Sequence, residues 1–366
     1  MLIGQIIDVI ESYAPPALQE GYDNSGLIIG LRDVECSGVL LTVDVTPAVV
    51  EEAKSLGYNL IVAHHPLIFK GLRRLTGSTP QEISVMKAIR AGIAVYACHT
   101  SLDSAPGGVS QEMARMLGLE DIEPLESSGD KMLKLQVFVP DAHVDAVSKA
   151  LFKAGAGRIG NYDSCAYAVK GTGSFRALDG ASPYVGDIGE VHYEAETAVQ
   201  VVLHSWHKRA VERALKQAHP YEEPAYEFIP IQNSPAMTGL GVVGNLPEPM
   251  TKQQLVSKIK STFDSPIARC NRFPEEVAIT RLALCGGSGA SLMPLAMSKG
   301  AAAMLTSDVK YHDFVDIPYN RFLIVDIGHH ESENCSKRII FDIISEKFPN
   351  FAVRYSCADV NPITYL

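Results

Sequence analysis

The residues able to do chemistry fall into three short clusters. His64-His65-Pro66 follows the apolar run Leu60-Ile61-Val62-Ala63, His99 is followed by Asp103, and Gly328 leads into His329 and Glu333. Imidazoles mixed with carboxylates suit Zn, Mn, Fe, Co or Ni better than Ca or Mg, which favour all-oxygen shells. His64, His65, Asp103, His329 and Glu333 make three imidazoles and two carboxylates, more protein ligands than a single catalytic zinc normally takes. Two ions sharing a carboxylate or a water would use all five and keep open positions. His329 and Glu333 stand at i and i+4, one face of a helical turn. His99 and His312 are candidate proton carriers, because imidazole titrates nearest neutral pH.

Other features carry less. Cys285-Gly286-Gly287-Ser288-Gly289 could cradle a phosphate with backbone N–H groups, but it is neither a P-loop nor a dinucleotide fingerprint and reads first as a tight turn. Tyr22-Asp23-Asn24-Ser25-Gly26 reads as a structural turn, Cys98 as a small buried residue rather than a nucleophile, and Trp206 as core. His330 is expected to stand outside the ligand set.

Joining residues so far apart in sequence requires a scaffold. Val39–Val43, Leu60–Ala63 and Ile93–Ala97 read as strands separated by helices over 48–55 and 81–90, with Thr46-Pro47 starting one and Gly57 ending it. The pattern recurs with strands at 280–285, 302–305 and 322–325 and a helix over 290–298. Alternation of this kind makes mainly parallel sheets, and ligands bind at the carboxyl ends of such strands. His64, His65, His99, His312, His329 and His330 all fall near such ends. Between the two lobes, strands near 133–139, 164–169, 190–202 and 226–229 alternate with helices over 141–154, capped by Asp141, and 206–218. That β-α-β-β-α-β order is the ferredoxin-like one. The expected organisation is α/β: related lobes over 1–127 and 236–366 interrupted by an α+β insert over 128–235.

Composition narrows the class. Apolar residues make up 46% and charged residues 20% of 366, the mix of a folded globular chain. A formal charge of −10 argues against non-specific duplex binding, so nucleic acid is not indicated as a partner. No apolar run reaches the ~18 residues of a membrane span. The N-terminus lacks a secretory pattern, and seven scattered cysteines form no C-x-x-C. A cytoplasmic location is expected.

Five segments together resemble the NIF3 family, also named the dinuclear metal-centre proteins and the GTP cyclohydrolase 1 type 2 homologues. They are Asp23-Asn24-Ser25-Gly26-Leu27, Ala63-His64-His65-Pro66, His99-Thr100-Ser101-Leu102-Asp103, Thr306-Ser307-Asp308-Val309-Lys310-Tyr311-His312 and Gly328-His329-His330-Glu331-Ser332-Glu333. Ser101 stands where the family usually has Asn, and Ser307-Asp308 where many members have Gly-Glu or Gly-Asp. The resemblance implies two divalent ions per subunit, zinc first among the candidates, bound by His64, His65, Asp103, His329 and Glu333. It also implies a ring-shaped homohexamer built as a trimer of dimers, and an insert similar to PII and CutA proteins. The function expected is a metal-dependent hydrolase acting on a nucleotide or another phosphate-bearing small molecule. The rival is a non-enzymatic hexameric scaffold whose insert binds an effector.

Overall fold

The computed structural model describes residues 1–129, 132–233, 237–318 and 320–365. Asp130, Ser234 and Pro235, near the expected ends of the insert, lie outside the described residues. The chain divides into two compact units, Met1–Ser128 with Met237–Leu366, and Gly129–Ala236.

The first unit holds two sheets. In one, the spatial order is Gly26–Ile29, Ala94–Ala97, Leu60–Ala63, Val39–Thr42 and Val353–Tyr355. All neighbours are parallel except Gly26–Ile29, an antiparallel edge strand. The three central strands are buried at every residue, as parallel strands covered on both faces must be. Their register aligns Thr42 with Ala63 and Ala63 with Ala97, so the loops carrying Asp44, His64-His65 and His99 leave the same edge. Thr46 caps the Pro47–Leu56 helix at the Val49 N–H, and Gly57 ends it with φ 71°, a left-handed conformation that favours glycine. That helix and Pro80–Ala91 bury Val49, Val50, Ala53, Val85 and Ala88 against Leu40, Ile61 and Val95.

In the other sheet the order is Arg269–Cys270, Leu323–Asp326, Ala303–Thr306, Ile279–Leu284, Gly239–Met250 and Glu120–Ser127. Its three central strands are parallel, with Leu284 opposite Leu305 and Thr306 opposite Asp326. The glycine turn, Asp308 and His329 therefore also share one edge. The α/β class matches the sequence reading, and the first sheet is mainly parallel; the second is mixed, because Arg269–Cys270, Gly239–Met250 and Glu120–Ser127 pair antiparallel around its parallel centre.

Two strands cross between the sequence halves. Glu120–Ser127, from the first half, pairs antiparallel with Gly239–Met250. Val353–Tyr355, at the far end of the chain, completes the first sheet. Pairing of Ser127 with Gly239 holds the chain ends that flank the insert side by side.

The second unit runs β-α-β-β-α-β. The strands Tyr167–Arg176, Val191–His204, Met132–Pro140 and Tyr226–Pro230 lie in that order, all antiparallel. The helices Val144–Lys153 and Lys208–Ala218 bury Val147, Leu151, Val211 and Leu215 against alternate strand residues such as Leu135, Val137, Val199 and Val201. Two expectations fail here. Asp141 does not cap its helix; its carboxylate accepts from the Thr197 hydroxyl at 2.6 Å, and a 3-10 turn over Asp141–His143 leads into the helix. Trp206 is not core. It sits in a half-buried 3-10 turn, Ser205–His207, stacked on His204 at 4.3 Å, outside the aliphatic core of the insert.

Among the described residues, no helix is long and apolar enough to cross a membrane.

Candidate metal centre

Six of the expected residues meet at the aligned strand ends. The rings of His64, His65 and His99 lie 5.1–5.4 Å apart, and His329 adds a fourth at 5.1 Å from His65. Glu333, on the one-turn helix His329–Glu333, reaches into this group. Its Oε2 is 2.8 Å from His65 Nε2, 3.0 Å from His329 Nε2 and 3.6 Å from His64 Nε2. Asp103 Oδ1 is 3.8 Å from His64 Nε2. Ring nitrogens of His64, His65 and His99 form one group within 4.8 Å, and His65, His329 and Glu333 form a second that shares His65.

Each imidazole is held by its outer nitrogen. His64 Nδ1–H donates to the Cys98 carbonyl at 3.1 Å. His65 Nδ1 donates to Asp44 at 2.9 Å, His99 Nδ1 to Asp23 at 2.8 Å and His329 Nδ1 to Asp308 at 2.7 Å. The orienting carboxylates are themselves fixed. Asp23 accepts from the Thr100 and Ser25 hydroxyls, and Asp308 from the Ser288 hydroxyl. Such outer partners set the tautomer and raise the basicity of a metal-binding ring.

The remaining atoms fit a cation. His64 Nε2 and Asp103 Oδ1 are buried without a hydrogen-bond partner. Because His64 Nδ1 carries the ring proton, Nε2 presents a lone pair. Two buried acceptors facing each other cost on the order of 1–3 kcal/mol each, a cost that a shared cation removes. His65 Nε2 and His329 Nε2 face each other at 3.3 Å. Burial alone would depress both imidazoliums. Hydrogen bonds to Asp44 and Glu333 instead hold His65 up to about 10, and Glu333 with Asp308 hold His329 up to about 9. Asp103 is pushed up, chiefly by burial. Burial would raise Glu333 as well, but His64, His329 and His65 override it and keep the carboxyl well below its usual range. Without a metal, then, bound protons offset part of the carboxylate charge.

The glycine turn has a different task from the phosphate cradle considered above. Gly286 N–H donates to Ser110, Gly287 N–H to Ser332 and Gly289 N–H to Thr306, so these three donors are already used. Gly287, at φ 60°, makes room for Glu333: a Cβ there would lie 2.1 Å from Glu333 Oε1. Gly287→Ala should displace that carboxylate. Metal affinity should fall ~100-fold or more while far-UV circular dichroism stays unchanged.

His312 is not brought into this group. It is exposed on the short helix Tyr311–Val315, and among the described residues its only ring contact is Tyr311, at 5.4 Å. His330 is half-buried beside His329 and touches none of the cluster's rings among the described residues. Cys98 is fully buried, its thiol pushed up to about 12 by burial, and it serves through its carbonyl. Asp44 escaped the sequence reading, although it leaves the same strand edge as His64 and His65. Asp23 was read as a turn residue, yet it anchors His99.

A sequence profile of the family described as Duf34/NIF3 (NGG1p interacting factor 3) matches residues 1–362. This chain belongs to the NIF3 family. A protein of Halalkalibacterium halodurans named GTP cyclohydrolase 1 type 2 homolog is 36% identical over 365 residues, 99% of this chain and 98% of the relative. A like-named Bacillus subtilis protein is 35% identical over 99% of this chain and 98% of its own length. The crystal structure of a Bacillus cereus protein related to NIF3 superposes with a TM-score of 0.88 at 34% identity, covering 100% of this chain and 99% of that one. As a NIF3 protein, the chain carries a His/Glu cluster able to hold metal.

Proposed function

We propose that this NIF3 protein is a dinuclear metal-dependent hydrolase, working in the cytoplasm as a homohexamer. His64, His65, Asp103, His329 and Glu333 would hold two divalent ions, zinc first among the candidates. The carrying observation is the shape of the donor set: four imidazoles anchored on their outer nitrogens around two buried acceptors that have no donor of their own. Bound ions supply Lewis acidity and acidify water towards neutrality.

The protein's own residues do the rest. Glu333 and His65, common to the contacts on both sides, hold the two ligand groups together. His99 is half-buried at the edge of the cluster, with Nδ1 fixed on Asp23, so its other nitrogen can take or give a proton. A nucleotide or other phosphate-bearing substrate would be held through open positions on the ions, since the glycine turn has no free donors for it among Gly286, Gly287 and Gly289.

Protein loaded with Zn or Mn and screened against nucleotides and phosphoesters should turn over at least one class. The His64→Ala plus Asp103→Ala double variant should lose that activity at least ~100-fold while keeping its circular dichroism. Unchanged turnover in the double variant would remove the proposal. If no substrate is found, and chelation dissociates the oligomer or unfolds the chain, the ions are structural and the scaffold reading stands instead.

A further inference from the structure

Past the strand Val353–Tyr355, residues 356–365 continue along the strand edge that carries the metal ligands, with the Ser356 N–H donating to the Leu41 carbonyl at 2.8 Å. The start of this tail is tied to the Pro47–Leu56 helix. Glu52 accepts from the Ser356 hydroxyl at 2.5 Å and from the Cys357 and Ala358 N–H groups at 3.0 and 3.1 Å. Asp359 follows. Its carboxylate is 2% exposed, pairs with Lys337 at 2.6 Å and accepts from the Val43 N–H at 3.0 Å. The Val43 carbonyl in turn accepts from the His65 N–H at 2.9 Å, and the next residue, Asp44, holds the His65 ring. This part of the tail therefore fixes the backbone turn that aims His65.

Further along, the tail reaches the second ligand group. Asn361 Nδ2 donates to Glu331 Oε1 at 2.9 Å, and Glu331 lies between His329 and Glu333 on their one-turn helix. A Cβ on Gly328, at φ 95°, would lie 2.4 Å from Glu331 Oε2 and 2.6 Å from the Tyr365 hydroxyl, so both close on the turn that starts this helix. Five residues with no side-chain cap are marginal as a helix on their own. Ser332 is one tether, accepting from the Gly287 N–H, and Asn361 is another, brought in by the tail. His65 and the His329–Glu333 helix are far apart in sequence, and the tail touches the supports of both. Two ions that share ligands need those supports at one fixed separation.

We propose that Asn361 is a positioning residue for the metal pair, and that residues 356–365 form a clasp setting the separation between the His64-His65 side and the His329–Glu333 side. The proposal rests on the two-ion reading of the site. Manganese, one of the ions the ligand set suits, is the probe on the full chain. Competition against a chelator gives the two affinities, and electron paramagnetic resonance reports whether the ions are coupled. The parent with two equivalents should show the signal of an exchange-coupled pair. Asn361→Ala should weaken the second ion at least ~10-fold, the scale of a lost outer partner, and leave the first unchanged. Its spectrum should be that of isolated ions, with the melting temperature of the stripped protein unchanged. Asn361→Asp, which keeps the shape but removes the donor facing Glu331, should behave the same way. Parent affinities and a coupled signal in both variants would overturn the clasp while leaving the two-ion reading intact. Equal weakening of both ions, in step with a lower melting temperature, would also overturn it, because Asn361 would then serve stability alone. A parent that takes up no pair of ions would end the two-ion reading and the clasp with it.

Discussion

Glu333→Gln will release the metal. The side chain is 3% exposed and its Oε2 lies within 3.6 Å of three imidazoles, so it is the carboxylate most enclosed by the cluster's rings. Glutamine keeps the volume but removes the negative charge, and it turns one acceptor into an N–H₂ that competes for the same space. Loss of an outer hydrogen-bond partner costs ~10–100-fold in metal affinity. Asp44→Asn and Asp308→Asn should fall in that range, with Glu333→Gln well beyond it. Competitive titration against a chelator of known affinity gives the order. Equal losses for Glu333→Gln and Asp44→Asn would show that Glu333 is not at the heart of the site.

Metal loading at pH 7.5 will release protons, and stripped protein will lose stability as pH rises. His65 is held up to about 10 and His329 to about 9, against an ordinary 6.5, so both rings are protonated at pH 7.5 without a metal. Ligation requires the bare nitrogen, so these protons must leave. Calorimetric heats should therefore depend on the ionisation enthalpy of the buffer. The stability sign follows from the same shifts. A histidine whose folded value exceeds its unfolded one stabilises fully below pH 6.5, and the contribution is lost as pH rises towards 9 and 10. Asp103, also raised, acts in the same direction at lower pH. Stripped protein should melt lower at pH 9.5 than at pH 6.5 by on the order of 5 °C, with the loaded protein nearly flat across that interval. A buffer-independent heat together with a flat stripped profile would contradict the protonation account.

How much of this was legible in the sequence differs by element. The strands carrying His64, His65 and His99 are short, fully apolar runs between helix punctuators, so both their presence and their functional edge could be read. Glu120–Ser127 could not. Its sequence Glu-Asp-Ile-Glu-Pro-Leu-Glu-Ser carries a proline and four acids and lacks the apolar run or alternation of a strand. Only pairing with Gly239–Met250, across the whole insert, makes it a strand. Val353–Tyr355 is a three-residue strand fixed in the same way by a partner far off in sequence. The clustering of His64, His65, His99 and His329 could be read because imidazoles are rare and these follow strand ends. The orienting shell was hidden because Asp23, Asp44 and Asp308 look like ordinary turn residues. Asp308 even adopts φ 56°, as turn aspartates do. His312 shows the converse error, since nearness to a strand end in sequence does not aim a side chain inward.

The most direct test is an anomalous diffraction map at the zinc edge, from crystals of protein prepared without chelator and supplied with zinc. Two peaks per chain, both within ligating distance of the set formed by His64, His65, Asp103, His329 and Glu333, are the predicted result. A map without density there, or with ions bound only elsewhere on the chain, would contradict the account.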